Sequence, residues 1–283
     1  MVLVKALRRL STLCPGRCRR RRVGAYDFHE RLGSGGSGDV HRVTHRATGQ
    51  EFACKEVKRT HLREVEKEAE ILRSITGTRL QKFHDCITKK DKMFLITHYN
   101  RGIDLFDLFV DHGPYGEGDL RPLAQEMVES VCECAGNGLA HLDVKLENFV
   151  TKGDSVELID FGSAHRLPDG AATKRLERLI GTTGYVPPEV YKGSFSATSD
   201  VWSLGVSLWV LTTGIHPFLQ RLQRHISDAQ GLERAYTFPT HDHYRRMRHM
   251  TAGLRDVFRG IFVQDPNERM TLAELRSHPW LKR

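Results

Sequence analysis

The sequence predicts an α+β fold in two lobes, a small β-rich part with one main helix and a larger, mostly helical part. Two observations carry this. Residues 26–98 alternate short β-like runs with turn residues, at 26–32, 40–45, 51–57, 80–87 and 93–98. From Leu105 onward the reading becomes mostly helical, and Asn100-Arg101-Gly102 breaks the pattern between the two parts. With 283 residues, 39% of them hydrophobic, the chain can bury a sizeable core.

The first element is a tail. Residues 1–22 hold Lys5, Arg8, Arg9, Arg17 and Arg19 to Arg22 and no acid, while the remaining 35 of the 43 Lys and Arg balance the 35 Asp and Glu. The net charge of +8 therefore belongs to this tail, and a nucleic-acid surface on the folded domain does not follow from it. Leu3, Ala6, Leu7, Leu10 and Leu13 recur at helical spacing until Pro15-Gly16. Three readings stay open: a solvated disordered tail, an organelle presequence, or a surface for an anionic membrane or import receptor. Residues 1–25 are taken as tail, and 26–281 as the domain.

Between the third and fourth β-like runs lies the main helix of the small lobe. Leu62, Val65, Ala69 and Leu72 share one apolar face, with Glu64, Glu66, Glu68 and Glu70 on the others. The apolar run 201–215 is interrupted by Ser203, Ser207, Thr212 and Thr213, too polar for a membrane span, and reads as a buried helix. Cysteines 14, 18, 54, 86, 132 and 134 show no paired metal spacing and no disulfide framework, so a reducing compartment is expected.

The chemistry is concentrated in His141-Leu142-Asp143-Val144-Lys145-Leu146-Glu147-Asn148 and the later Asp160-Phe161-Gly162. Together they offer a base, a phosphate-binding cation and a metal-binding pair, which is what phosphoryl transfer requires. Upstream, glycines 33, 35 and 38 lack Cβ, so a hairpin carrying them can bring backbone N–H groups close to phosphate oxygens. Lys55 lies in a strand-like run where a buried cation needs anions.

Leu32-Gly33-Ser34-Gly35-Gly36-Ser37-Gly38-Asp39-Val40, Phe52-Ala53-Cys54-Lys55, the two stretches above, Gly181-Thr182-Thr183-Gly184-Tyr185-Val186-Pro187-Pro188-Glu189 and Asp200-Val201-Trp202-Ser203-Leu204-Gly205 occur in one order. The set resembles the eukaryotic protein kinases. Lys145 two residues after Asp143, with the 181–189 pattern, resembles the Ser/Thr branch. Leu146-Glu147-Asn148-Phe149 and His278-Pro279-Trp280-Leu281 are similar to the calcium/calmodulin-dependent group, although no inhibitory helix or calcium module is expected from the residues after Leu281.

The resemblance implies the two-lobed kinase fold, with the small lobe at about 26–98, the larger at about 99–281 and the cleft opening near Asn100. It implies ATP and Mg2+ as cosubstrate and cofactor. ATP would be held by Leu32, Gly33, Gly35, Gly38, Val40, Ala53, Lys55, Glu68, Thr97, His98, Asn100 and Val150. Glu68 is the expected partner of Lys55, because Ile71 and Leu72 then fall at the inward apolar positions; Glu70 is the fallback. Thr97 is small enough to leave a back pocket beside the His98-Tyr99-Asn100 hinge.

Asp143 would take or orient the substrate hydroxyl proton, Lys145 would neutralise charge on the moving phosphoryl group, and Thr182 would bond toward both. Asn148 and Asp160 would hold magnesium. His141 and Phe161 are expected to pack, and Glu189 to pair with Arg269. Asp104 and Glu147 match positions that, in basophilic relatives, meet arginines before the phosphoacceptor, so protein substrates with upstream basic residues are implied. A monomer in cytoplasm or nucleus is expected, with organelle import open through the tail.

The chain departs from the family at Leu142, where most members have an Arg that receives an activation-segment phosphate. The usual phosphorylated position is here Arg178. Activity is therefore expected not to require phosphorylation of that segment. Leu146 for the usual Pro and Pro187 for the usual Ala remove no charge or ligand. A catalytically weak ATP-binding scaffold and a small-molecule phosphotransferase are the competing readings. The retained Lys55, Asp143, Lys145, Asn148 and Asp160 argue against the first, and 185–189 with Arg269 against the second.

Overall fold

The structure, a computed structural model, describes residues 21–35, 38–89, 91–167, 173–225 and 229–282. Two compact units are formed, one from residues up to Ser74 with Gln81–Arg101, the other from Ile75–Leu80 with Gly102 onward.

In the first unit a six-stranded sheet is built from β1 (Arg22–Val23), β2 (Tyr26–Gly35), β3 (Gly38–His45), β4 (Glu51–Lys58), β5 (Phe83–Lys89) and β6 (Lys92–His98). Its strand order is β1-β2-β3-β4-β6-β5, antiparallel throughout. Alternation places Val43, Phe52, Cys54, Phe94 and Ile96 in one apolar cluster with Val23, Tyr26 and Phe28. Helix α1 (Leu62–Ser74), entered through a short 3-10 turn at Arg59–His61, buries Val65, Glu68, Ala69, Ile71 and Leu72. Leu62, expected on that face, is only half-buried.

Four boundaries differ from the sequence expectation. The tail assigned to 1–25 ends earlier, because Arg22–Val23 forms a strand against Tyr26–Asp27 and Val23 is buried. Arg21 and Arg22, counted with the tail's charge, are ion-paired, Arg21 to Glu56 at 2.6 Å and Arg22 to Asp27 at 3.0 Å. The Arg21 bond, helped by Lys92, holds the Glu56 carboxyl down at about 2. Local charge composition hid a strand whose cations are neutralised across the sheet.

The fourth β-like run, expected at 80–87, forms as Phe83–Lys89. Residues 75–80, expected in the small lobe, belong to the second unit: Leu158 N–H donates to Arg79 O at 2.8 Å, and Thr76 is held by Asn137. Arg79 also pairs with Glu126 and Glu133. Conversely, residues 99–101 stay with the first unit.

The second unit contains α2 (Leu105–His112), α3 (Glu117–Gly136), β7 (Leu139–Ala140), the hairpin β8 (Phe149–Lys152) and β9 (Ser155–Leu158), β10 (His165–Arg166), β11 (Lys174–Arg175), α4 (Pro188–Tyr191) and β12 (Ser194–Phe195). Helix α5 (Ser199–Thr213) follows, buried on every side from Ser199 to Leu211, which accounts for the long apolar run without a membrane. No helix among the described residues is long and apolar enough to cross one. Around α5, Trp202 and Trp209 pack with Phe218, Phe258 and Phe262 at ring separations of 5.0 to 6.2 Å. The remaining helices are α6 (Leu219–His225), α7 (Ala229–Ala235), α8 (His241–Met247), α9 (Ala252–Ile261), α10 (Leu272–Ser277) and α11 (Pro279–Lys282).

Candidate active site

The first unit carries one half of the chemistry. Lys55, in the middle of β4, places Nζ 2.8 Å from Glu68 Oε2 on α1, and both side chains are largely buried. The partner is Glu68 because the helix turns that residue inward with Val65, Ala69 and Leu72, while Glu70 is exposed. A cation and an anion withdrawn together from water are tolerable only as a close pair.

In the β2–β3 hairpin Gly33 pairs with Val40 and Gly35 with Gly38, and the tip at 36–37 lies outside the described residues. The glycines serve different needs. A Cβ on Gly38 would collide with the Glu56 carbonyl of β4, so this glycine is required by the sheet itself. A Cβ on Gly33 would meet nothing within 4 Å, leaving room beside the hairpin backbone.

Leu32 is exposed, Val40 half-buried, and Ala53 pairs with Thr97 in the β4–β6 ladder. Thr97 is buried and its hydroxyl accepts from Gln81 at 3.1 Å. His98 N–H already donates to Lys82 O at 2.9 Å, so this amide is not a donor for a ligand. Asn100 follows, half-buried.

The second unit carries the other half, on the loop between β7 and β8. Asp143 Oδ1 accepts the Thr182 hydroxyl at 2.6 Å, and Oδ2 accepts Lys145 Nζ at 2.7 Å. Lys145 also donates to Thr182 Oγ1 at 2.8 Å, closing a triangle. Asn148 spends both amide hydrogens' direction on Asp143, donating to its carbonyl at 2.8 Å and to Oδ2 at 3.2 Å, which leaves Oδ1 as an oxygen donor for a cation. Asp160 sits in the left-handed region at φ 63°, a conformation few non-glycine residues adopt and one that concentrates at functional sites. Val150 is buried on β8 and bridges to Asp104.

The loop is held from beneath. His141 faces Ile159 O through Nε2 at 3.1 Å, accepts the Asp143 amide at Nδ1, and packs its ring on buried Phe161 at 5.0 Å. Both ring nitrogens are thus spent on backbone, fitting the packing role expected of this pair. Asp200, at the start of α5, accepts the amides of His141 at 2.6 Å and Leu142 at 2.8 Å. Burial raises the Asp200 carboxyl above the ordinary range, with those amide bonds opposing. Sequence reasoning quoted Asp200 without giving it a task; an acid heading an otherwise apolar helix was the available signal.

Leu142 is buried and stands at φ 60°. A left-handed Leu costs about 1–2 kcal/mol, which its amide bond to Asp200 and its burial offset. It belongs to an apolar cluster with Ala140, Val186, Val190 and Phe195, flanked by Leu167, Leu176, Ile180 and Tyr191. Gly181, at φ +83°, packs so closely on the Leu142 carbonyl that a Cβ there would collide with it.

The two acids expected to read substrate cations differ. Asp104 is committed to structure, its Oδ1 accepting the Asp107 amide at 2.9 Å as the N-cap of α2. Glu147 has Oε2 buried with no hydrogen-bond partner.

A family profile for the protein kinase domain matches residues 26–281. Calcium-dependent protein kinase 1 of Oryza sativa subsp. japonica is 32% identical over 268 residues, 91% of this chain and 50% of that protein. The calcium/calmodulin-dependent protein kinase type II alpha chain of Drosophila melanogaster is 32% identical over 266 residues, 90% and 49% respectively. Calcium-dependent protein kinase 29 of Arabidopsis thaliana is 30% identical over 269 residues, 90% and 48%. The chain thus spans about half the length of the curated relatives it matches. With the lysine–glutamate pair in one unit, the Asp143 network in the other and the profile running through both, the chain belongs to the protein kinase family.

Proposed function

We propose that the chain is a protein serine/threonine kinase that transfers the γ-phosphoryl group of ATP to protein hydroxyls and needs no phosphate on its activation segment. The observation that carries this is the Asp143–Lys145–Thr182 triangle, already closed with Leu142 in its apolar cluster.

The donor set fits the expected cofactor and cosubstrate. Asn148 Oδ1 and the Asp160 carboxylate are hard oxygen donors of the kind magnesium takes. Lys55 supplies a cation held in place by Glu68, and the space beside Gly33 admits phosphate oxygens. Magnesium, when bound, neutralises charge on the phosphates.

The chain's own residues do the positioning. Asp143 is an acceptor for the incoming hydroxyl proton, held at a fixed angle by Thr182, Lys145 and Asn148. Lys145 holds its ammonium beside that carboxylate, where negative charge on the transferring group would meet it. The bonds of Asp200 and His141 to the backbone hold the loop that carries Asp143 in one position.

Independence from phosphorylation is supported by the content of the cluster. Val186 at the end of the segment belongs to the cluster that holds Leu142, and Leu167, Leu176 and Ile180 from earlier in the segment pack against that cluster. In relatives a cation at this place waits for a phosphate. Here burial of apolar groups holds the same segment, at about 1.5–3 kcal/mol per fully buried Leu. We assign the holding to this cluster.

For substrates we infer a preference for Arg or Lys shortly before the acceptor hydroxyl, read by Glu147, with Asp104 contributing charge only beside its capping bond. For location we infer cytoplasm or nucleus, with the residues before Arg21 as an attachment to an anionic membrane or import receptor.

The test is phosphorylation of a peptide array with Mg-ATP by the full chain, beside Lys55→Met and Asp160→Asn. Both variants should lose transfer while their far-UV circular dichroism and unfolding midpoints stay near wild type. Activity lost only in step with unfolding would refute the assigned roles.

A further inference from the structure

We propose that the second unit carries a docking pocket for a partner protein, one that takes an aromatic side chain lying one or two residues from a carboxylate. The proposal goes beyond the kinase reading and does not rest on it, since the pocket shares no residue with the transfer machinery.

The pocket is a cavity of about 330 Å3 between residues 237–239, which follow α7, and the C-terminal end of α9. Its apolar wall is Phe238, Pro239, Phe262 and Val263. Phe262 is buried, and the Phe238 ring meets it at 4.8 Å. Phe262 also packs on Phe258 and Trp202, so the aromatic core of the unit reaches the surface here. A cavity of this size is at the low end for a small molecule enclosed whole, which takes about 300–1,000 Å3. The rim residues Thr237 and Arg259 are exposed, so an occupant can continue out of the mouth along the surface. One side chain of an extended peptide meets both conditions.

Arg259 is the one charged residue that lines the cavity, and its side chain makes no hydrogen bond or ion pair among the described residues. Arg255 stands one turn earlier on the same face of α9, likewise without a side-chain partner among them. Neither is neutralised by the nearby acids. Asp256 faces His278 at 3.2 Å. Glu233 meets the cavity lining through its backbone carbonyl, which accepts the Thr237 hydroxyl at 3.3 Å and the Gln264 amide at 3.2 Å. The Gln264 nitrogen is thus committed, and its side-chain oxygen is left to accept a peptide N–H.

The lining selects the chemistry of the partner. A guanidinium takes a carboxylate through two parallel bonds, and an aromatic ring packs best edge-on or offset against other rings. Both groups must come from one short stretch, because the aromatic wall and Arg259 belong to one cavity and an extended chain advances about 3.3 Å per residue. A nucleic-acid backbone or an anionic lipid surface calls for a run of cations. Here a single cation lines the cavity beside two uncharged polar side chains, Thr237 and Gln264.

The experiment is fluorescence anisotropy of a fluorescein-labelled peptide, Gly-Ala-Gly-Phe-Glu-Glu-Gly-Ala-Gly, titrated with the full chain in the absence of ATP. Binding should saturate, with a Kd below about 1 mM. Replacing the peptide's Phe by Ala, or both its Glu by Gln, should weaken binding by about tenfold or more, and these two peptides test the pocket without altering the protein. Arg259→Glu should weaken it by as much. That variant should keep the wild-type unfolding midpoint and label a short basic peptide with Mg-ATP at the wild-type rate, since the side chain is exposed and lies outside the catalytic loop. No saturation, equal binding by Arg259→Glu, or equal binding of the peptide without Phe overturns the proposal and leaves the kinase reading intact. A chain that binds the peptide but phosphorylates nothing overturns the kinase reading alone.

Discussion

Arg269 closes on Glu189 through two bonds, Nη1 to Oε1 at 2.7 Å and Nη2 to Oε2 at 2.8 Å, with the arginine fully buried and the glutamate nearly so. Arg269 spends further N–H groups on the carbonyls of Val263 at 3.0 Å and Thr198 at 3.1 Å, and lies over the Trp202 ring. Removing one partner strands the other. Arg269→Met should therefore lower the stability of the second unit by roughly 3–5 kcal/mol, and Glu189→Gln by less because the amide still accepts one bond. Urea unfolding followed by tryptophan fluorescence reads this directly, since Trp202 is in contact. A loss under 1 kcal/mol would mean that the pair is dispensable.

Thr182 makes a different kind of prediction, because its bonds serve geometry. Its hydroxyl joins Asp143 and Lys145, which also pair directly with each other at 2.7 Å. Thr182→Val keeps the shape and removes both bonds. Turnover should fall about 10- to 100-fold, the scale of one hydrogen bond to a charged group, with little change in unfolding midpoint. Thr182→Ser should restore most of the rate, and wild-type turnover in the Val variant would dismiss the positioning role.

Acid should destabilise the second unit through His243. This ring is buried, accepts the Thr240 amide at 3.0 Å and faces Pro217 O at 3.1 Å. Burial holds its pKa down at about 4 from 6.5, the Pro217 carbonyl opposing and Arg221 reinforcing. Below pH 6.5 the unfolded chain takes up a proton that the folded ring refuses, so stability falls as pH drops toward 4. The full difference is worth about 3 kcal/mol at 1.4 kcal/mol per pKa unit. His216, also held down at about 4 by burial, acts in the same direction. His243→Gln should flatten the decline between pH 6.5 and 4.5 in denaturant titrations; an unchanged slope would assign it elsewhere.

The motif residues were legible because each needs a residue type that nothing else in its neighbourhood explains. Glu68 could be told from Glu70 before any coordinates, since Ile71 and Leu72 fix which way the helix turns, and the ion pair with Lys55 forms there. Other features depend on partners distant in sequence. Arg22–Val23 reads as charged tail until Asp27 and Glu56 are seen to neutralise its neighbours. Residues 75–80 read as small lobe, but their bonding partners Asn137, Glu126 and Leu158 lie 47 or more positions on. Leu142 announced a missing cation; its left-handed backbone and the apolar cluster around it required the fold.

The corrected tail boundary changes the useful truncation. Removing residues 1–20 should leave peptide phosphorylation at the wild-type rate, because no motif residue lies there, while changing distribution in cells or binding to anionic vesicles. Removing residues 1–25 should also lower the stability of the first unit, by roughly 1–3 kcal/mol, since it deletes β1, buried Val23 and the Arg21 bond to Glu56. Equal midpoints for the two truncations would show that β1 contributes nothing. Unchanged distribution would leave the tail as solvated chain.

The activation segment supplies the last prediction. Two short ladders, His165↔Ala140 and Lys174↔Phe195, fasten the segment to β7 and to β12, and Leu176 and Ile180 pack against the apolar cluster that contains Leu142. On the proposed reading, this arrangement among the described residues holds the segment without added charge. Chain made in bacteria and treated with phosphatase should keep most of its activity, and Thr173→Ala, at an exposed position before β11, should behave as wild type. Leu142→Arg should restore no phosphate control. It would bury a cation among Val186, Val190 and Phe195, with a cost of several kcal/mol, and should lower the unfolding midpoint together with activity. Leu142→Met, which keeps volume and apolar character, should cost under about 1.5 kcal/mol and retain turnover. If phosphatase removes activity and a phosphate on the segment restores it, the apolar cluster does not hold the segment in its working position, and a cation elsewhere must receive that phosphate.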